Sequence, residues 1–291
     1  MKILIADTFD PSLPGRLKKF GEVTEDTSQV ADCDVVLIRS KTKCTKEYID
    51  GAPKLRLIIR GGVGLDNVDR EYAKQKGIEV RNTPEASSVA VAELAFALMI
   101  AVPNRLIESH NGMAAGKWEK KQIKRTELMG KTLGLIGVGR IGTALANRAR
   151  AFGMHVIGFD RYVKYSDMVE LKSMDDVLGE SDYLSLHTPL NSETENMINK
   201  ETIGRMKDGA VIINTGRGKC VNAEDMVDAL KSGKVGAYAT DVWPSDPPPP
   251  DYPLLKAPNV LMTPHTGAST KENLLRIGDQ VVEILENFQA K

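Results

Sequence analysis

Cysteine is scarce in this chain: three in 291 residues, at Cys33, Cys44 and Cys220. Their spacing fits neither a metal-ligand pattern nor a disulfide framework. No metal site is therefore expected, and the thiols are expected to be reduced, as in a cytoplasmic protein. An excess of charge is missing as well, since 39 basic residues face 39 acidic ones and no long basic block occurs. That balance argues against nucleic acid or an anionic membrane as the main partner. Long apolar runs are absent too. The longest, Val89 to Val102, contains Glu93 and ends at Pro103, so it reads as a buried helix and is too short to span a bilayer. Met1-Lys-Ile-Leu-Ile-Ala-Asp7 reads as a core strand and not as a signal peptide. No internal repeat or low-complexity tail is evident.

What is present is alternation. The length exceeds what one core usually serves, so two domains are expected. In a first block, short β-rich runs at Ile3–Ala6, Val35–Arg39, Leu57–Ile59 and Ile78–Val80 are separated by helical stretches at Leu13–Phe20, Lys46–Asp50 and Val68–Lys76. That order implies a parallel sheet with helices on its faces. A second block starts near Pro84 with helices from Ser88 to Ile100 and through Leu106–Ala115. It continues with strands at Leu133–Ile136, Met154–Phe159, Tyr183–Leu186, Val211–Asn214, Gly236–Asp241 and Val260–Met262. The last helix, Lys271 to Phe288, is expected to return to the first block. The proline run Asp246-Pro-Pro-Pro-Pro250 is expected to be stiff and extended, on the rim of a site.

The most informative stretch is Leu133-Gly-Leu-Ile-Gly-Val-Gly-Arg-Ile-Gly142, followed by a second apolar run that stops at Asp160. It reads as strand, tight turn, helix, strand and terminal acid. Gly137 makes the turn, Gly139 lets a pyrophosphate approach the backbone, and Gly142 lets helix and strand pack closely. With Arg140 and Ile141 they open a helix whose N-terminus offers N–H groups to phosphates. Asp160 is placed to accept the ribose hydroxyls and to repel a 2′-phosphate. Arg161 follows it and is able to hold such a phosphate, but Asp160 has the better position, so NAD is favoured over NADP.

Parallel sheets of this kind bind ligands at the C-terminal ends of their strands. In the second block those ends carry His187-Thr188-Pro189, then Asn214-Thr215-Gly-Arg217-Gly218, then Asp241-Val-Trp-Pro-Ser-Asp246, then Thr263-Pro-His265-Thr-Gly267. A histidine with an acidic partner suits reversible proton exchange with a hydroxyl, because the acid fixes its tautomer and stabilises its charged form. An arginine is able to hold a carboxylate bidentately and to polarise the neighbouring carbonyl. His110 and His155 lie in a helix and at a strand start, and both read as structural.

Together these motifs resemble the D-isomer-specific 2-hydroxyacid dehydrogenases over essentially the whole chain, most of all their 3-phosphoglycerate dehydrogenase branch. The resemblance also rests on Arg39-Ser40, Arg60-Gly61-Gly62-Val63-Gly64-Leu-Asp-Asn-Val-Asp69, Asn82-Thr-Pro84 and Pro264-His-Thr-Gly-Ala-Ser-Thr-Lys271. It implies a Rossmann-type doubly wound α/β domain over 85–269 and a discontinuous flavodoxin-like substrate domain over 1–84 and 270–291. It implies Arg217 as substrate-binding and polarising residue, His265 as acid/base and Asp246 as its partner. The family has a glutamate at that last position. The shorter aspartate reaches His265 only if the proline run bends inward, or through a water. His187, Thr188, Pro189, Thr215, Asp241 and Gly267 are implied on the cofactor side, with Asp241 near the nicotinamide carboxamide. Arg39, Arg60 and the Gly61–Gly64 loop are implied on the substrate side. There, consecutive N–H groups form a nest for the carboxylate, and the two arginines take a distal phosphate. Phosphohydroxypyruvate/3-phosphoglycerate is the leading substrate. Glyoxylate or hydroxypyruvate reduction is the nearest alternative, and a dinucleotide-sensing scaffold is the alternative from another class. A homodimer through the helices after Pro84 is implied, with the basic stretch around Trp118 near the subunit contact. A C-terminal regulatory domain, and with it serine feedback, is not expected.

Overall fold

Val35–Ile38 and Leu57–Ile59 are apolar at every position, which is the pattern of strands covered on both faces. In the computed structural model, which describes residues 1–290, they are the central strands of a five-stranded parallel sheet. Its elements are β1 (Lys2–Ile5), α1 (Leu13–Leu17), β2 (Glu22–Thr24), β3 (Val35–Ile38), α2 (Lys46–Asp50), β4 (Leu57–Arg60), α3 (Arg70–Gln75) and β5 (Glu79–Asn82). The strand order is β2-β1-β3-β4-β5. Side chains alternate between the faces: Ile3, Ile5, Leu37 and Ile59 enter one apolar cluster, while Leu4, Val36, Ile38 and Ile58 enter the other.

The chain then passes through α4 (Ser88–Asn104) and α5 (Leu106–Ala114) into a seven-stranded parallel sheet. This sheet holds β6 (Thr132–Ile136), α6 (Arg140–Ala151), β7 (His155–Phe159), β8 (Glu170–Leu171), α7 (Met174–Glu180), β9 (Tyr183–Leu186), α8 (Lys200–Gly204), β10 (Ala210–Asn214), α9 (Ala223–Ser232), β11 (Val235–Thr240) and β12 (Val260–Met262). Its order, β12-β11-β10-β9-β6-β7-β8, reverses direction at β6, the doubly wound pattern. One face is covered by α4 and α6 through Ala92, Phe96, Met99, Leu145 and Ala149, the other by α7 and α9 through Val177, Leu178, Met226 and Leu230. The last helix, α10 (Lys271–Gln289), buries Ile277, Val281 and Leu285 in the first sheet's cluster.

The chain divides into two compact units, Met1–Ala90 with Ala268 onward, and Val91–Gly267. The helix that contains the longest apolar run continues through Pro103 to Asn104, beyond the proline expected to end it. Arg105, in the left-handed region at φ 50°, breaks it from α5. Among the described residues no single helix is long and apolar enough to cross a membrane. All three cysteines are buried, and burial pushes the Cys44 thiol up to about 12. Strand β2 and the short strand β8 escaped the sequence reading: three residues at a sheet edge and two residues carry no periodicity to read.

Candidate active site

At the glycine turn the backbone geometry explains each residue. Gly137 lies at φ 98°, and a Cβ there would sit 2.7 Å from the carbonyl oxygen of His187. A Cβ on Gly142 would meet the Gly137 carbonyl at 2.3 Å, so helix α6 starts as close to the turn as a glycine allows. Over Gly139 nothing lies within 4 Å, and no side chain caps the helix there. This is a cradle with open space above an uncapped helix N-terminus, which suits a pyrophosphate. Asp160, at the end of β7, accepts from the Val138 N–H at 2.8 Å with one oxygen and from Tyr162 and Val163 N–H with the other. Burial opposes ionisation, but those three bonds outweigh it and hold the carboxyl below its usual range. Thr215 Oγ1 is buried without a hydrogen-bond partner at the end of β10. These features fit a dinucleotide.

His187 follows β9 and lies against the turn itself, with Cδ2 3.8 Å from the Cβ position of Gly142. Its Nε2 pairs with Ser185 Oγ at 2.9 Å, its Nδ1 is sealed from water without a partner, and burial pushes its pKa down to about 4. The ring is therefore neutral at pH 7 and buttresses the turn. Thr188 and Pro189 continue from it, and Thr188 Oγ1 faces Met197 and Cys220 sulfurs.

Arg217 leaves β10 in extended conformation, with Nη1 donating to the Gly216 carbonyl at 2.7 Å. The glycines beside it allow close packing between loops. A Cβ on Gly218 would lie 2.3 Å from the Trp243 backbone, and one on Gly216 3.0 Å from the Leu186 carbonyl. Beneath, buried Asn214 ties the loop down: its Nδ2 donates to the Arg217 carbonyl and the Tyr238 hydroxyl, and its Oδ1 accepts from Gly216 N–H. Asn214 and Tyr238 were not read as site-forming, since their contact joins positions 24 residues apart.

His265 follows β12 and adopts φ 54°, a left-handed conformation rare outside glycine. Its Nδ1 meets Asp246 Oδ2 directly. The chain bends at Pro244–Pro247, just where Asp246 sits, and Ser245 Oγ donates to the Pro247 carbonyl at 2.8 Å. Asp241, implied on the cofactor side, is 2% exposed at the end of β11. One oxygen accepts from Thr263 Oγ1 at 2.6 Å and Thr266 N–H at 2.8 Å, the other from Gly267 N–H at 2.8 Å. Both oxygens are thus engaged by the loop that carries His265, and Asp241 acts as its anchor. The Trp243 indole adds a bond to the Thr263 carbonyl.

The sheet order lines these groups up. Along one edge of the second unit stand His265 (β12), Asp241 and Asp246 (β11), Arg217 (β10), His187 (β9), the glycine turn (β6) and Asp160 (β7). In the first unit Arg39 and Arg60 stand at the ends of neighbouring strands β3 and β4. Arg39 donates to the carbonyls of Thr8 at 3.3 Å and Ala268 at 3.0 Å, and burial lowers its pKa. The Arg60 guanidinium folds back over Gly62. Gly61 N–H is taken by the Ile38 carbonyl, so the expected nest shortens to Gly62–Gly64.

A family model described as the NAD binding domain of D-isomer specific 2-hydroxyacid dehydrogenases matches residues 96–267. The hydroxypyruvate reductase of Thermotoga maritima is 46% identical over 257 residues, covering 87% of this chain and 84% of that protein. The D-3-phosphoglycerate dehydrogenase of Methanocaldococcus jannaschii is 40% identical over 97% of this chain, which spans only 56% of that protein. An NAD-dependent formate dehydrogenase from Staphylococcus aureus, solved in complex with NAD, matches with a TM-score of 0.89 at 31% identity, over 99% of this chain and 95% of that one.

Proposed function

The chain belongs to the D-isomer specific 2-hydroxyacid dehydrogenase family, and from that premise we propose that it interconverts a three-carbon D-2-hydroxy acid and its 2-keto acid, with phosphohydroxypyruvate/3-phosphoglycerate as the leading pair. The observation that carries the reading is the direct His265–Asp246 contact, one strand end removed from Arg217 along the edge that also holds the dinucleotide turn. NAD, when bound, accepts or supplies the hydride at substrate C2. Arg217 holds the carboxylate and draws electron density from the C2 carbonyl. Asp246 occupies Nδ1 of His265, which leaves Nε2 to give the C2 oxygen its proton in reduction and to take it back in oxidation. Gly62–Gly64 contribute N–H groups to the carboxylate, and Arg39 with Arg60 supplies positive charge for the distal phosphate.

A specific observation favours hydroxypyruvate or glyoxylate as a second reading: the Arg39 guanidinium already donates to two backbone carbonyls. NADH oxidation with phosphohydroxypyruvate, hydroxypyruvate, glyoxylate and pyruvate, in wild type and Arg39→Ala, separates the two. The leading reading expects a clear preference for phosphohydroxypyruvate that Arg39→Ala removes while sparing glyoxylate. Preference for an unphosphorylated acid, unchanged in the variant, overturns it in favour of the second. The active form in this proposal is a homodimer. Leu106, Ile107 and Met113 of α5 and the following Trp118 are exposed. They adjoin a groove of about 750 Å³ between the α4–α5 helices and the β11–β12 edge, lined by Leu106, Ile107, Val260 and Leu261.

A further inference from the structure

A 2′-phosphate on the adenosine ribose adds negative charge beside the acid that ends β7, and a site that accepts it needs a free cation there. Arg161 is the residue directly after that acid, so its guanidinium starts from the required place. It is not available: Arg161 is ion-paired with Glu193. The sheet order gives the pair its meaning. Strand β6 lies between β9 and β7, so the loops that follow β9 and β7 flank the glycine turn, and the Arg161–Glu193 pair joins those two loops.

The acid side of the pair is held in place. Glu193 N–H and Thr194 N–H both donate to Asn191 Oδ1, and Thr194 Oγ1 donates to the Pro189 carbonyl at 2.7 Å. Asp160 cannot swing aside either, because three backbone N–H groups hold its two oxygens. Lys164, the other cation on this loop, donates to the Arg161 carbonyl at 2.9 Å and is turned back onto the backbone.

We propose that Glu193 is a second determinant of cofactor choice, which works with Asp160 by holding Arg161 away from a 2′-phosphate and cancelling its charge. Asp160 recognises the unphosphorylated ribose, and Glu193 withdraws the group that would otherwise compensate a phosphate. The inference rests on the dinucleotide site alone and not on the identity of the keto acid. The test is therefore a binding measurement without substrate. NADH and NADPH are titrated into the full-length protein by calorimetry, in wild type, Glu193→Gln, Arg161→Gln and the double variant. Both side chains are more than half exposed, so these substitutions leave folding intact. Glu193→Gln should tighten NADPH relative to NADH by about fivefold, the scale of one exposed charge interaction. The gain should vanish in the double variant and shrink in about 0.5 M salt. An unchanged NADPH-to-NADH ratio in Glu193→Gln overturns the proposal, including the case where NADPH remains undetectable. A gain that survives Arg161→Gln overturns it too, since another cation would then be responsible.

Discussion

His187 shows how burial sets the behaviour of one side chain. An unfolded histidine titrates near 6.5, whereas burial holds this one near 4. Between those values the unfolded chain binds more protons than the folded one. The ring's contribution to stability is therefore complete above pH 6.5 and fades as pH falls towards 4. By that linkage it weakens the fold by about 3 kcal/mol at pH 4. Replacing it by asparagine should flatten the fall of the thermal midpoint between pH 6.5 and 4. An equally steep fall in the variant would show that His187 is not the group being protonated. At this scale the motifs told much. The glycine turn, Asp160 and Arg217 each stand at the strand end where their local spacing suggested, whereas the His265–Asp246 contact joins two strand ends and was implied by the resemblance. The hold that Asp241 has on the following loop was not legible, because its three donors sit 22 to 26 residues away.

Elements make the same point through their caps. Helix α9 carries both signals, Asn222 accepting from Asp225 N–H at its start and Gly233 in left-handed conformation at its end. The strands with dense apolar residues, such as β3, β4 and β9, were legible to within a residue, whereas β2 and β8 were not. The loop after β12 carries His265, the acid/base of the proposed reaction, and its shape comes from outside it. Asp241 supplies acceptors for three of its donors, and His265 pays the cost of a left-handed backbone within it. Asp241→Asn would turn an amide N–H₂ towards these donors and should cost about 1–3 kcal/mol in stability. Turnover should fall further than that loss explains, while NADH affinity measured by titration changes less. If kcat is retained in the folded variant, the loop does not need this anchor.

For the whole molecule, the proposed division of labour rests on two parallel sheets whose candidate residues stand at strand C-terminal ends. The second sheet holds the dinucleotide turn, Arg217 and the histidine–aspartate pair, and the first holds Arg39 and Arg60. The proposed homodimer is tested at this scale. Ile107→Glu on the exposed face of α5 should convert a dimer to a monomer in sedimentation, and a dimer that persists would place the interface elsewhere. The proton transfer at His265 is the step to test first. Wild type and His265→Gln should be compared under single-turnover conditions with NADH and each keto acid, alongside NADH affinity by titration. The variant should bind NADH as wild type does and reduce the preferred acid about 10²–10⁴-fold more slowly. Turnover within a few-fold of wild type would remove His265 from the acid/base role, and a wild type that binds NADH yet reduces none of the acids would point to a sensing scaffold.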